Sequence, residues 1–340
     1  MRRWLGGLLV AVCALALAAG DADAKPRRTG PPVKAAAAKA PVGKLKAKTA
    51  KVRAARKHVA TGPAGYNPIA WSRADGPAPG PAQAIGGYAA GCLSGGVALP
   101  GEGAGYQVIR MSRQRNFGHP ALVGFVKDFG VKVAAAGLGT ALIADMAQAR
   151  GGPMSFGHAS HQSGLDADVW LRLDLPPMGR AAREHLEEIK YVDYDDRRVT
   201  ADWSAKQAEM IRIAAADPRV SRLFVSPAIK QALCRKEWKD RDWLGKLRPW
   251  HGHDGHMHVR LSCPPGSAQC EEQRELPDGD GCGEDLRVWL NRAMPVTEIP
   301  PERARPRNPQ LPPACHAVLR SGGTRIASAT NTTAAATTID

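Results

Sequence analysis

The sequence predicts a single globular domain that contains both helices and strands, and three observations support this prediction. The composition of the 340 residues changes twice, because residues 25 to about 85 are rich in Lys, Ala, Pro and Gly, and the chain turns to Ala, Thr and Ser after Ser321. The roughly 230 residues between these segments fit one compact unit. Apolar residues recur there at both helical and alternating spacings, and no internal repeat is present.

Local patterns predict the individual elements of this domain. Apolar residues at helical spacing, with proline tolerated at the start, predict helices over residues 120–133, 205–215, 227–234 and 284–292. Alternating or β-rich segments predict strands over residues 106–111, 139–146, 165–173, 223–225 and 256–261. The Gly- and Ser-rich residues 151–163 are predicted to form a loop, and the Pro-rich residues 295–313 an extended surface segment.

The N-terminus has the features of a secretory signal peptide. Arg2 and Arg3 precede an apolar segment that runs from Trp4 to about Ala19, and a small-x-small cleavage pattern ends at Ala24. The apolar segment is shorter than the ~20 residues of a membrane-spanning helix. We therefore predict an exported, soluble mature protein without a membrane span.

The positive charge of the chain lies mainly in one segment. Residues 25–60 contain twelve Lys or Arg and no acidic residue, so only +3 of the formal net charge of +15 belongs to the remaining chain. Residues 25–85 are predicted to be a basic, disordered linker, because this composition cannot bury a core. It is either a solvated spacer or a tether to anionic polymers of the cell envelope. Nucleic acid is not expected as a partner of an exported protein, and the basic residues 25–60 lack interleaved Phe, Tyr or Trp for base stacking.

The cysteines agree with export. One of the seven, Cys13, lies in the signal peptide, and an even number in an exported chain favours disulfides. Cys263 and Cys270 flank a short Pro-Pro-Gly turn and are the one pair that the sequence alone indicates. No C-x-x-C spacing points to a thiolate metal site.

Six histidines form two clusters that carry the chemistry. The first cluster is His158-Ala-Ser-His161-Gln-Ser-Gly-Leu-Asp166-Ala-Asp168, and the second is His251-Gly-His253-Asp254-Gly-His256-Met-His258. His256 and His258 share one face of a predicted strand, as do Asp166 and Asp168 of another strand. His161, Asp168 and His258 can therefore surround one metal ion.

Two histidines and one aspartate leave a coordination position for water, which is typical of a catalytic zinc site. Zinc lowers the pKa of such a water to about 7 and polarises a carbonyl. His256 is placed to act as the base, with His253 near enough to share this role or to stabilise an oxyanion. The chain has no H-E-x-x-H helix, G-x-S-x-G elbow or S-x-x-K motif.

These segments resemble the penicillin-insensitive murein endopeptidase family, within the wider LAS-type metallopeptidases. The resemblance covers roughly residues 81–318, and the residues that carry it are Phe117–Pro120, Gly137–Thr140, Gly157–Asp168, Pro227–Lys230, Asp240–Trp243, Arg248–Trp250, His256–Leu261 and Gly279–Cys282. It implies an α+β domain around an antiparallel sheet with zinc on its face. It also implies a periplasmic enzyme that cuts the cross-link between D-alanine and meso-diaminopimelate in peptidoglycan.

The resemblance assigns roles to individual residues. His161, Asp168 and His258 would be the zinc ligands, His256 the catalytic histidine and His253 an assisting residue. The implied disulfides are Cys92–Cys315, Cys234–Cys282 and Cys263–Cys270. Family members can hold a second zinc ion at a dimer interface, with His158 as one ligand.

The chain departs from the family at that interface site. The stretch Asp195-Asp196-Arg197-Arg198 corresponds to the segment where the family pattern has a second-site aspartate and, three residues later, a histidine, and arginine cannot ligate zinc. His158 is therefore predicted to bind a second metal weakly or to contact the first ligands. Dimerisation remains open.

The predicted organisation is a signal peptide at residues 1–24, the linker at 25–85, a zinc metallopeptidase domain at 86–318 and a disordered C-terminal tail at 319–340. Two alternatives to an endopeptidase remain open, namely a D-Ala-D-Ala carboxypeptidase of the same class and a non-catalytic zinc-containing module that binds the cell wall. Arg172, Arg248 and Arg260 are candidates for binding substrate carboxylates, although salt bridges explain them equally well.

Overall fold

The computed structural model describes residues 68–195, 197–292 and 310–322, and these residues form an α+β domain. The helices are α1 Pro68–Ser72, α2 Pro120–Ala135, α3 Arg180–Glu184, α4 Ala205–Ala215, α5 Pro227–Arg235, α6 Glu284–Asn291 and α7 Pro313–Arg320, with 3-10 turns at Met111–Arg113 and Asp242–Lys246. The strands are β1 Gln83–Gly87, β2 Ala90–Ser94, β3 Val97–Ala98, β4 Glu102–Gly103, β5 Tyr106–Val108, β6 Phe117–Gly118, β7 Ala141–Ile143, β8 Asp166–Trp170, β9 Val192–Asp193, β10 Arg198–Val199, β11 Val220–Val225, β12 Leu247–Pro249 and β13 His256–Leu261.

The central sheet has seven strands in the order β12-β11-β13-β8-β7-β5-β4. Its middle is antiparallel, as the family resemblance implied, because β11 pairs with β13, β13 with β8 and β8 with β7 in that sense. The pairs β11–β12 and β5–β7 are parallel, so the complete sheet is mixed. Local patterns cannot specify strand direction, which depends on the path of the connecting chain.

One face of the sheet packs against helices to form the main core. Ala167 and Val169 of β8 and Val259 of β13 are fully buried and belong to one apolar cluster with residues of α2 and α4. Both helices begin at capped ends: the His119 ring accepts a hydrogen bond from Ala121 N–H, and Ser204 forms a capping box with Gln207. The opposite face of β8 and β13 is left for polar side chains.

Three disulfides tie peripheral segments to this domain, with the pairing that the resemblance implied. Cys92–Cys315 joins β2 to α7, Cys234–Cys282 joins α5 to the segment before α6, and Cys263–Cys270 closes a loop after β13.

The structure moves the predicted start of the folded part. Residues 68–85, assigned to the linker from composition, include α1 and most of β1, and Trp71 is only 1% exposed. Trp71 packs in a second apolar cluster with Ile85 and the Cys92–Cys315 disulfide. Trp71, the buried Ala78 and the pairing of β1 with β2 attach this segment to the domain, and the surrounding Ala, Pro and Gly concealed it in the composition. At the other end, α7 continues to Arg320, beyond the predicted boundary at 318.

Several predictions concern residues outside the described ranges. These are the signal peptide, the linker up to residue 67, most of the extended segment at 295–313 and the C-terminal tail from residue 323. No helix in the described part of the chain is long and apolar enough to cross a membrane.

Candidate metal centre and active site

The pairing of β8 with β13 brings the two histidine clusters together. The antiparallel register places His258 opposite Asp168, His256 opposite Trp170 and Arg260 opposite Asp166. Because directly opposed residues project from the same face of a sheet, these side chains share the face that the helices leave free. Segments almost ninety residues apart in the sequence therefore build one site.

Asp168 lies at the centre of this site. Its Oδ1 atom is 3.1 Å from His258 Nδ1 and 3.4 Å from His161 Nε2. Zinc ligands about 2.0–2.1 Å from a tetrahedral ion lie roughly 3.3 Å from one another, so each of these two distances suits a pair of ligands to one ion. Asp168 Oδ1 thus lies at ligand spacing from each predicted histidine, and the role of His161, Asp168 and His258 as zinc ligands stays a prediction.

His158 also lies beside this group, between two aspartates. Its Nδ1 atom is 3.3 Å from Asp168 Oδ2, and its Nε2 atom is 3.0 Å from Asp145 Oδ2. His158, His161 and Asp168 each offer a ligand atom within 4.8 Å of the others, and this cluster could hold a metal ion. His158 therefore contacts Asp168, and it is itself a candidate ligand of the same metal ion.

Buried polar atoms without partners support the fit of an ion. Within the described residues, both ring nitrogens of His161 and Oδ1 of Asp168 are buried without a hydrogen-bond partner. Each such atom costs about 1–3 kcal/mol when nothing satisfies it. A cation would offset this cost for the nitrogen and oxygen atoms that face it, so the donor set fits a divalent metal such as zinc.

The electrostatics of the cluster keep its carboxylate charged. Burial alone would raise the pKa of Asp168, but the neighbouring histidines outweigh burial and hold that pKa well below its usual range. Burial lowers the pKa of His161, whereas Asp166 and Asp168 overcome burial at His258 and raise its pKa to about 9. The lowered pKa favours the carboxylate form of Asp168, and the raised pKa favours the protonated form of His258.

Asp166 holds the loop and the strand of the centre in place. It accepts two hydrogen bonds from Arg260, at 2.7 and 2.8 Å, and one from the backbone N–H of His161 at 3.0 Å. This last bond fixes His161 in a left-handed backbone conformation with φ of 66°, which is uncommon for a side chain of this kind. Asp166 Oδ2 also lies 3.3 Å from His258 Nε2, on the side of the ring away from Asp168.

His256 stands beside the centre with one nitrogen held by a carboxylate. Its Nδ1–H donates to Glu188 Oε1 at 2.6 Å, and its Nε2 lies 4.0 Å from Asp168 Oδ2. In the neutral tautomer with its proton on Nδ1, Nε2 has its lone pair toward the centre. Asp168 and Glu188 outweigh burial and raise the pKa of His256, so this neutral form is gained as the pH rises. Gly255 permits the approach, since a Cβ atom there would lie 2.4 Å from Glu188 Cγ.

His253 completes the group at the edge of the site. Its ring centroid is 5.0 Å from that of His256, and the ring also contacts Phe224. Burial, together with the charges of His256 and His258, lowers the pKa of His253 to about 3. Its imidazole is therefore neutral at physiological pH.

The sequence located the histidines of this site but not their supporting carboxylates. Asp166 was placed on the correct face without a role, whereas Glu188 and Asp145 were missed. Glu188 lies in an irregular segment between α3 and β9, where no periodicity marks a buried partner. Asp145 follows β7 and also accepts a hydrogen bond from Arg115 at 2.7 Å.

The fold and the site together define an α+β domain with a candidate metal centre on one face of its sheet and a histidine pair beside it. Residues 84–320 match the model of the family described as penicillin-insensitive murein endopeptidase. The chain is 43% identical over 263 residues to the penicillin-insensitive murein endopeptidase of Haemophilus influenzae, covering 76% of this chain and 91% of that protein. It is 45% identical over 250 residues to the protein of that name from Salmonella newport, covering 73% of this chain and 90% of the relative. The chain belongs to the penicillin-insensitive murein endopeptidase family.

Proposed function

We propose that this chain is an exported, zinc-dependent D,D-endopeptidase that hydrolyses D-alanyl–meso-diaminopimelyl cross-links of peptidoglycan in the periplasm. The observation that carries the proposal is the convergence of His161 Nε2 and His258 Nδ1 on one oxygen of Asp168, with His256 alongside. Family membership supports the substrate class, because its relatives are named murein endopeptidases. Three disulfides agree with an oxidising compartment.

In this proposal His161, Asp168 and His258 hold zinc, and His158 supports them. Zinc, when bound, supplies Lewis-acid chemistry that polarises a carbonyl and makes water a better nucleophile. The residues of the chain then manage protons and charge around the scissile peptide bond.

His256 is proposed as the general base. Its free Nε2 accepts a proton from the attacking water, and Glu188 stabilises the imidazolium that results while it holds the ring in one orientation. The neutral His253 ring donates its Nδ1–H to the carbonyl of His251 at 3.3 Å, so its Nε2 is an acceptor and can share the proton-accepting role of His256. Protonated His256 is then close enough to return its proton to the leaving amine.

The segments outside the described residues have proposed roles as well. Residues 1–24 would direct export and be removed. The basic residues 25–67 would be a spacer or a tether to anionic envelope polymers, and a dimer remains compatible with the proposal.

The test is digestion of purified cross-linked peptidoglycan dimers by the mature chain, with and without a chelator, followed by mass analysis. We expect dimers to yield intact monomer stems, chelation to abolish cleavage and zinc to restore it. The variant His256→Ala should lose at least about a hundredfold in kcat. The matched control is His185→Ala, which lies at the end of α3.

Other outcomes would change the assignment. Release of one terminal alanine without separation of the stems would indicate a carboxypeptidase. Zinc binding without any cleavage would indicate a cell-wall-binding module. Full activity of the His253→Ala, His256→Ala double variant would refute the proposed roles of the two histidines even if zinc were essential.

A further inference from the structure

A surface pocket lies next to the candidate active site, and its residues have no role in the proposed chemistry. It is an open surface pocket, lined by Val192, Tyr194, Arg197, Ser226, Pro227, Ala228, His251, Trp289, Leu290 and Arg292. Its floor is apolar and its wall aromatic. We call it the Trp289 pocket.

The charges around the Trp289 pocket are of one sign. Among the described residues, no acidic side chain lines it, whereas Arg197 and Arg292 are both exposed at its rim. The Arg292 guanidinium stacks 4.2 Å above the Trp289 ring, and Arg197 Nη1 donates to Leu290 O at 2.9 Å. Arginine has five N–H donors, so both side chains keep donors that could serve another partner.

A histidine in the wall adds an independent sign of a polar ligand. Within the described residues, both ring nitrogens of His251 are buried and have no hydrogen-bond partner. The His251 ring also packs against Trp289, with ring centroids 5.5 Å apart. Nitrogens of this kind cost stability when they remain unsatisfied, and a bound carboxylate could accept from one of them.

The Trp289 pocket adjoins the proposed catalytic residues through the backbone. Ser226 N–H donates to the carbonyl of His253 at 2.8 Å, and His253 Nδ1 lies 3.3 Å from the carbonyl of His251. Two residues that line the pocket thus contact His253 directly. A group bound there would lie close to the bond that is cut.

We infer that the Trp289 pocket is a specificity subsite that receives a free carboxylate on an aliphatic arm of the stem peptide. The aliphatic part would pack on the apolar floor and the Trp289 ring. The carboxylate would accept hydrogen bonds from the guanidinium groups of Arg197 and Arg292. The three arginines considered from the sequence each face an acidic side chain: Arg260 is buried against Asp166, Arg172 pairs with Asp174, and Arg248 Nη2 lies 3.9 Å from Asp285. This inference rests on the proposed function and deepens it.

The experiment compares two cross-linked stem-peptide dimers that differ in one group. The acid dimer has the free diaminopimelate carboxylate beside the scissile bond, and the amide dimer has the primary amide in its place. For the wild type, we expect KM to be about tenfold lower for the acid than for the amide, with similar kcat. The double variant Arg197→Gln, Arg292→Gln should raise KM for the acid by about tenfold and leave the amide unchanged. Arg292→Lys should keep part of the preference.

The control variant is Arg287→Gln on α6, the helix that carries Trp289. This variant removes a charge that is paired with Glu284 and lies outside the Trp289 pocket. It should keep the acid preference in full. Equal losses on both dimers in the double variant, or no loss on either, would overturn the inference. Calorimetric binding of the acid and amide monomer peptides is measured in parallel. If neither dimer were cleaved, the proposed function would fail, and a retained acid preference in binding would still support the subsite.

Discussion

His258 connects the proposed metal centre to the two aspartates of its neighbouring strand. Its Nδ1 faces Asp168 and its Nε2 faces Asp166, at 3.1 and 3.3 Å. A carboxylate behind a histidine ligand fixes the ring and increases its basicity. The same arrangement attracts a proton when no metal is bound, so metal and proton compete for this residue.

This competition predicts that metal affinity depends on pH. His258 has its pKa raised to about 9, so it is protonated at neutral pH in the metal-free protein and must release that proton on binding. Zinc affinity should therefore rise by up to about tenfold per pH unit between pH 6 and 8. Competition with a chromophoric chelator at several pH values measures this. An affinity that stays constant over that range would contradict the assignment of His258 as a ligand.

The hydrogen bond between Glu188 and His256 gives a second prediction about single residues. The variant Glu188→Ala removes the acceptor of His256 Nδ1–H, so the ring loses its orientation and its ionic partner. We expect kcat to fall about ten- to a hundredfold with little change in KM, and Glu188→Asp to restore part of the loss. Steady-state kinetics on soluble dimers measures both. Glu187→Ala is the matched control, and a Glu188→Ala enzyme with wild-type kcat would show that the contact is only structural.

At the scale of elements, helix α5 is attached to its surroundings by an unusual buried cation. Lys230 is fully buried, and its ammonium group donates to the carbonyls of Leu244 and Asp280. Burial, reinforced by the charge of Arg248, lowers the pKa of Lys230 to about 7. The Cys234–Cys282 disulfide joins the same two segments. Lys230 and this disulfide thus hold the segment before α6, and with it the helix that carries Trp289.

The lowered pKa of Lys230 predicts a pH-dependent stability. Between about pH 7 and 10.5 the unfolded chain binds a proton at this residue that the folded chain has lost, so the lysine contributes a free energy of unfolding that rises with pH. The slope from one proton is at most ~1.4 kcal/mol per pH unit. Denaturant unfolding between pH 7 and 9 should show this slope in the wild type and its loss in Lys230→Met, relative to Lys239→Met. Identical slopes in the two variants would contradict the prediction.

For the whole molecule, the structure extends the folded part toward the N-terminus. Trp71 fills a space that Gly152 leaves open, since a Cβ atom at Gly152 would lie 2.2 Å from the Trp71 ring. The same apolar cluster contains the Cys92–Cys315 disulfide, which joins residues 223 apart in the sequence. The first and last described segments are thus attached to each other beside the sheet.

Two truncations test this extension. Removal of residues 25–66 should leave thermal stability and activity on soluble fragments close to those of the mature chain. Removal of residues 25–80 deletes Trp71 and should cost about 3–5 kcal/mol, as measured by denaturant unfolding. Equal stability of the two truncated chains would contradict a structural role for residues 68–80.

The sequence alone was sufficient for the residues whose pattern is local. The spacing of His256 and His258, and of Asp166 and Asp168, assigned each pair to one face of a strand, and the structure has those faces as predicted. Helix α4 and strand β13 have the predicted bounds because their periodicity is uninterrupted. The resemblance supplied the three disulfide pairings, of which the sequence alone indicated only Cys263–Cys270.

The tertiary structure decided what depends on contacts between distant segments. The approach of Glu188 to His256, the position of His158 against Asp168 and the arginines around Trp289 each join segments whose local patterns are independent of one another. The parallel strand pairs and the burial of Trp71 have the same origin. Side-chain periodicity is fixed by backbone geometry within an element, whereas the partner that a side chain meets is fixed by how the elements pack.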